Sequence, residues 1–186
     1  FRATSAVTNA SINADSISTE AFSYSMRKNP ATLSLNARNI GINSFYATSA
    51  IQTANIVVTD SISKGAFYQS MSNSDISATM DIKTPIISDF AFKGTSKLNV
   101  ANIECETLKR SAFNGSGIVD LNIQDCVKSI GNACFANNSS LTTVAIGSGL
   151  KDIPDSVFCN CQKLQGITIP QNISSIGNCV FLSCYN

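Results

Sequence analysis

Eight phenylalanines recur along this chain at intervals of 21 to 25 residues, at Phe22, Phe45, Phe67, Phe92, Phe113, Phe135, Phe158 and Phe181. Five residues before each stands a branched aliphatic: Ile17, Ile40, Ile62, Ile87, Leu108, Ile130, Ile153 and Ile176. Directly before each stands a small or thin residue: Ala21, Ser44, Ala66, Ala91, Ala112, Cys134, Val157 and Val180. A unit of this length, repeated many times, predicts a solenoid in which each coil packs only against its neighbours. A single globular core is therefore not expected, although 186 residues would ordinarily make one domain or two.

Within a unit the pattern changes period. Leu141-Thr142-Thr143-Val144-Ala145-Ile146 ends in the apolar-polar alternation of a half-buried strand, and Leu164-Gln165-Gly166-Ile167-Thr168-Ile169 repeats it. Leu121-Asn122-Ile123, Ala101-Asn102-Ile103, Met80-Asp81-Ile82 and Leu33-Ser34-Leu35 are the matching segments of other units. Their flanking aliphatics should point inward and the middle residue outward. Stacked in register, such strands make one parallel sheet with a spacing of about 4.8 Å. The rest of the unit, such as Ser129-Ile130-Gly131-Asn132-Ala133-Cys134-Phe135, is too brief for a full helix and predicts a short turn or partial helix. Gly41, Gly131 and Gly177 each follow their isoleucine, where the chain bends with no room for a side chain. Phe1 and Phe90 fall outside the ladder and receive no role.

Ser129-Ile130-Gly131 leading to Cys134-Phe135, and Ser175-Ile176-Gly177 leading to Val180-Phe181, resemble the core of BspA-like leucine-rich repeats. So does the run from Phe158 through Cys161, Leu164, Ile167 and Ile169 to Pro170. The resemblance is tight from about Leu98 onward and looser before it. It implies an α/β-type, β-rich leucine-rich repeat solenoid over residues 1–186, of about eight coils, with one parallel sheet on the concave face and turns or partial helices opposite. The asparagine ladder of the commonest leucine-rich repeats is missing: Glu104, Gln124, Gly147 and Pro170 follow the last strand aliphatic. Members of the resembled family are surface proteins of bacteria and parasitic protists, so the resemblance implies an extracellular, surface-displayed chain. No basic-then-apolar leader opens the sequence, and Phe181-Leu182-Ser183-Cys184-Tyr185-Asn186 stops in mid-unit, which predicts an excerpt of a longer chain.

Seven cysteines admit three readings. The third residue after each Phe is Ser25, Thr48, Ser70, Thr95, Ser116, Asn138, Cys161 and Cys184, so Cys161 and Cys184 share a column of small residues. Cys134 stands in another such column, and buried free cysteines behave as small hydrophobes. Cys161 and Cys184 on adjacent coils would also lie at bridging distance, about 4.8 Å between Cα atoms, with Cys105 and Cys126 a looser pair. A metal site is the least supported reading: there is no histidine, and Cys159 and Cys161 are too close in sequence for a zinc knuckle.

Without histidine no Ser-His-Asp or Cys-His arrangement can be assembled, so the chain is not expected to be an enzyme or to need a cofactor. Asp152 and Asp155, beside Pro154, read as solvated turn carboxylates, and Gly147-Ser148-Gly149 reads as a bend after a strand. The formal net charge is +1 and the basic residues form no stripe, which argues against nucleic-acid binding. No apolar run reaches the roughly 18 residues of a membrane span. Asn9, Asn114, Asn137, Asn138 and Asn172 open five glycosylation sequons, little more than composition alone gives.

Binding should then fall on the outward strand residues: Ser34, Asp81, Asn102, Asn122, Ala145 and Thr168, bordered by Glu104 and Gln124. This strip is small, polar and mildly acidic, and a merely solvated sheet explains it equally well. Tyr46 and Tyr68 directly follow their phenylalanines and predict a small aromatic edge on the other side. The resemblance favours an adhesion or interaction module binding host or matrix proteins. The alternatives are a structural spacer or filament that self-associates by end-to-end stacking, and a carbohydrate-binding module, which lacks an aromatic platform.

Overall fold

A computed structural model describes residues 7–73, 75 and 77–185; Phe1 lies outside them. The chain coils through thirteen strands: β1 (Asn9–Ile17), β2 (Ala31–Ile40), β3 (Ile51–Ile62), β4 (Ala78–Lys83), β5 (Ile86–Ile87), β6 (Leu98–Glu104), β7 (Thr107–Leu108), β8 (Asp120–Ile123), β9 (Ser129–Ile130), β10 (Thr143–Ile146), β11 (Asp152–Ile153), β12 (Gly166–Thr168) and β13 (Ser175–Ile176). Every pairing is parallel. The alternation seen in sequence is obeyed residue by residue: Leu33, Leu35 and Ala37 are buried in β2 while Thr32, Ser34 and Asn36 are exposed.

The isoleucine ladder is itself a row of strands, which the sequence did not suggest. Ile17 pairs with Ile40, Ile40 with Ile62, Ile62 with Ile87, Ile87 with Leu108 and Leu108 with Ile130. In β1 to β3 the two rows fuse into strands of 9, 10 and 12 residues. Beyond β3 each coil breaks into a longer strand and a two-residue one, beginning with β4 and β5.

Three expectations need correction. Among the described residues there is no helix, so the fold is a β-solenoid and not α/β. The sheet is not single: an eight-stranded sheet, a three-stranded one (β12-β10-β8) and a pair (β11-β13) share the work. The first break falls after β6, in which Asn99 is an extra residue in the pairing with β4. The stack makes about seven turns and not eight, because the Phe22-to-Phe181 column contains only seven steps.

What replaces the partial helix is a pair of left-handed residues. Two before and two after every ladder phenylalanine the backbone has φ between 50° and 74°, from Glu20 and Tyr24 in the first coil to Cys179 and Ser183 in the last. The first coil shows how they act. The amides of Ala21, Ser23 and Ser25 close overlapping turns onto Ser18, Glu20 and Phe22, the first and last of them with the positive φ at the third position, Glu20 and Tyr24, that a type II turn requires. The alternate amides, of Glu20, Phe22 and Tyr24, cross to the carbonyls of Ile42, Ser44 and Tyr46 on the next coil. A helix this short would form few internal bonds against its nucleation cost and would leave no amide for a neighbour. Only three of these sixteen positions are glycine (Gly65, Gly94 and Gly115), so most bear the left-handed strain of roughly 1–2 kcal/mol, which the inter-coil bonds and burial offset.

Inside, the phenylalanines form one continuous column. Phe22 to Phe113 stack at 4.8 to 5.0 Å between ring centroids, and Phe113 to Phe181 at 5.7 to 6.0 Å. Parallel strands stay near 4.8 Å apart. The main chain does not follow the wider ring spacing: the inter-coil amide bonds at these phenylalanines stay between 2.7 and 3.1 Å along the whole column. Gly41, Gly131 and Gly177 sit where one coil presses on the backbone of the coil before; a Cβ on Gly41 would come within 2.6 Å of the Ile17 carbonyl oxygen.

Beside the rings runs a buried polar column, and here lies the substitute for the missing asparagine ladder. The hydroxyls of Thr48, Ser70 and Thr95 donate to the carbonyls of Phe45, Phe67 and Phe92 at 2.8, 2.7 and 2.9 Å. Asn138 is fully buried; its Nδ2 donates to Phe113 and Phe135 carbonyls, and its Oδ1 accepts from Ser116 Oγ at 2.7 Å. No buried side-chain nitrogen or oxygen lacks a partner among the described residues.

Two substitutions separate these contributions. Phe113→Ala removes a fully buried ring stacked on both sides and should lower unfolding free energy by about 3–5 kcal/mol in urea titrations followed by far-ultraviolet circular dichroism. Asn138→Ala leaves two main-chain carbonyls and the Ser116 hydroxyl short of a partner and should cost about 1–3 kcal/mol by the same measurement, with Asn138→Ser recovering part of the loss.

Candidate functional site

The outward residues named from sequence fall in one row of the longer strands. Ser34 pairs with Asn55, Asn55 with Asp81 and Asp81 with Asn102; across the sheet break, Asn122 pairs with Ala145 and Ala145 with Thr168. All are exposed. Two members, Ser11 and Asn55, escaped the sequence reading, although Ala54-Asn55-Ile56 repeats the tripeptide Ala101-Asn102-Ile103 letter for letter. Over β1 to β4 the row floors an open groove of about 610 Å³ that also takes in Thr32, Thr53 and Thr79.

The texture of this face is set by cross-strand pairing. Asn102 Nδ2 donates to Asp81 Oδ1 at 2.6 Å, and Thr32 Oγ1 to Asn9 Oδ1 at the same distance. Glu104, expected at the border, forms an ion pair with Lys83 at 2.8 Å; both are well exposed, so it contributes little to stability. Gln124 is half-buried with its Oε1 3.9 Å from the Cys126 sulfur. Farther along β2 and β3 the same face carries Arg38, paired with Asp60 at 3.8 Å, and the exposed Val57. These two give the strip the cationic and apolar points it lacked on paper. Nothing in the row resembles an acid-base pair in a cleft.

The carboxylates near Pro154 are structural. Asp155 Oδ1 accepts the Asn178 main-chain amide at 2.7 Å, and Asp152 Oδ1 accepts the Ser175 hydroxyl at 2.6 Å. Asp125 does the same one unit earlier. The Ser148 amide and hydroxyl, at 2.7 and 2.9 Å, hold its carboxyl below the usual range. Gly147 packs against the Asp125 amide, where a Cβ would come within 2.7 Å, so the Gly147-Ser148-Gly149 bend serves coil contact and not phosphate binding. Of the sequons, Asn138 is fully buried and closed to modification in the folded chain.

All seven cysteines are free. Cys161 and Cys184 stand on adjacent coils as expected, yet each thiol is turned to the preceding coil. Cys161 Sγ donates to the Phe135 carbonyl at 3.3 Å and Cys184 Sγ to the Phe158 carbonyl at 3.2 Å. They occupy the polar column and are not bridged to each other. Burial pushes the thiols of Cys105 and Cys161 up to about 12 and that of Cys134 higher still. No cluster of acidic and cysteine side chains suited to a metal occurs among the described residues.

Since the thiolate is the reactive form, iodoacetamide at pH 8 should label the exposed Cys179 within minutes in the native protein. Cys105, Cys134 and Cys161 should resist until denaturant is added, as read by intact and peptide mass spectrometry.

A family model described as the BspA type leucine rich repeat region matches residues 1–103 and 60–186 with six copies. No curated protein sequence matches the chain significantly. Among solved structures, the leucine-rich repeat protein TpLRR of T. pallidum superimposes with a TM-score of 0.66 at 21% identity, covering 80% of this chain and 71% of that one. A leucine-rich repeat protein from Bacteroides ovatus gives 0.58 at 21%, covering 90% of this chain and 38% of that one. The pneumococcal vaccine antigen PcpA gives 0.50 at 16%, covering 88% and 54%. The chain thus spans well under two thirds of the last two. No helix among the described residues is long and apolar enough to cross a membrane.

Proposed function

We propose, from the premise that this chain belongs to the BspA-type leucine-rich repeat family, that it is a surface-displayed adhesion module holding host or matrix proteins on its sheet face. Repeat proteins of this kind are protein-interaction scaffolds, and their extended sheet is the usual docking surface. The observation that carries the reading is the row from Ser11 to Asn102. It presents small polar side chains in strict register, flanked by Arg38 and Val57, and no bulky residue closes the groove above it. A row of this kind lacks the large aromatic anchors of a tight interface, so it suits many weak contacts made at once.

Binding to immobilised extracellular-matrix glycoproteins, followed by surface plasmon resonance, tests this directly. Replacing Asp81 and Asn102 together by arginine should weaken any bound partner about tenfold, the scale of losing one or two central contacts, while circular dichroism stays unchanged. Full retention of binding by that variant would remove the sheet face from the proposal. The spacer or filament reading makes a different demand: sedimentation velocity would show species that lengthen with protein concentration, whereas the adhesion reading needs only a monomer.

A further inference from the structure

On the opposite side of the coil, around Gly65, the turn edge opens into a cleft of about 490 Å³ lined by Asn43, Tyr46, Lys64, Tyr68, Phe90 and Lys93. Gly65 creates it. The glycine occupies the left-handed position between Asn43 on one coil and Phe90 on another, and a Cβ there would strike Asn43 Oδ1. Tyr46 and Tyr68 stack at 5.6 Å to make one wall, and Tyr46 Oη donates to Gln69 Oε1 at 3.1 Å. Phe90, which had no place in the phenylalanine ladder, makes the other. Its ring gathers three cations, with Arg110, Lys93 and Lys64 at 5.0, 5.3 and 5.9 Å from the centroid.

Arg110 is neutralised by Asp89, whose carboxylate lies 3.8 Å away and also accepts the Arg110 main-chain amide. Among the described residues neither Lys64 nor Lys93 has a carboxylate within ion-pair distance. Both ammonium groups line the same cleft without a counter-charge of their own, so an anion entering it meets two cations at once. Beyond Tyr46 lies a second cleft of about 370 Å³, lined by Tyr24, Gln69 and Ser72 among others, where the exposed Arg27 stands 5.6 Å over the Tyr24 ring. Cationic points thus stand at both ends of an aromatic row.

We propose that this edge binds acidic glycans, meaning sulfated or uronate-bearing saccharide chains. A sugar ring sits in the Gly65 cleft with its apolar face toward Tyr68 and Phe90. Its anionic group lies between Lys64 and Lys93, and the chain runs over Tyr46 toward Arg27. The amides of Asn43 and Gln69 and the tyrosine hydroxyls supply the neutral donors and acceptors that sugar hydroxyls need. An acidic peptide fits less well. The Gly65 and Phe67 amides are consumed by Asp89 and Ala91 carbonyls at 3.1 and 2.7 Å, so no strand edge is free here for an extended chain to pair with. This surface is separate from the sheet face, so either assignment can fail without the other.

Isothermal titration of the chain with a size-defined heparin fragment is the test, with neutral dextran, charge-matched polyglutamate and inorganic sulfate as comparison ligands. Lys64→Ala with Lys93→Ala should weaken heparin binding about tenfold or more. Lys151→Ala with Lys163→Ala, the same charge change elsewhere, should shift it less than about twofold. Gly65→Asn fills the cleft without altering charge, and asparagine already holds the left-handed backbone at position 43, so it should weaken binding with the fold intact. Failure of the wild type to bind heparin overturns the proposal. So does equal binding of polyglutamate, a match by inorganic sulfate alone, an equal loss in both lysine pairs, or an indifferent Gly65→Asn in a variant whose circular dichroism is native.

Discussion

The rings of successive phenylalanines lie face to face from Phe22 to Phe181, and this contact holds every coil at a fixed rotation relative to the next. Each coil is far too small to bury a phenylalanine by itself, so the ring is hidden only when its neighbours supply one above and one below. That makes the solenoid cooperative at short range and sets the register of everything outside the column. The isoleucine row, the polar column and the outward strip all inherit their alignment from it. Burial of each ring contributes roughly 1.5–3 kcal/mol, and ring-on-ring packing adds about 0.5–1.5 kcal/mol to that.

A column of rings would still slide without a directional partner. The left-handed residues on either side of each phenylalanine provide one by splitting the amides of the turn into two sets, one closing the turn and one reaching the next coil. This division explains why a β-solenoid forms where a partial helix was expected. The same logic governs the polar column, in which hydroxyl, amide and thiol groups exchange places because each has only to donate to a phenylalanine carbonyl. Cysteine in this column is a donor of the right size, and its raised pKa reflects the dry surroundings.

The two long faces consequently differ in what they can hold. On the sheet, strand alternation forces short polar side chains into rows, which favours breadth over strength. On the turn edge the chain has placed Tyr24, Tyr46, Tyr68, Phe90 and several cations. On the two proposals made above, the sheet face would hold a protein and the turn edge a polyanion.

How much of this was readable beforehand follows from the range of each interaction. The eight-fold recurrence of Phe, Ile and a small residue, the strand alternation and the outward positions of Ser34, Asp81, Asn102, Asn122, Ala145 and Thr168 depend on neighbours within one unit, and local pattern conveys them. Ser11 and Asn55 carry the same local pattern, Ala-x-Ile around an outward residue, that marked Asn102, so they too were legible within one unit. Three features were decided in three dimensions: the break in the sheet after β6, the inward turn of the Cys161 and Cys184 thiols, and the gathering of Lys64, Lys93 and Arg110 over Phe90. The thiol turn and the approach of Lys64 to Phe90 each join residues 26 apart, a little more than one coil, so stacking brings them together and no window within a single unit contains both partners.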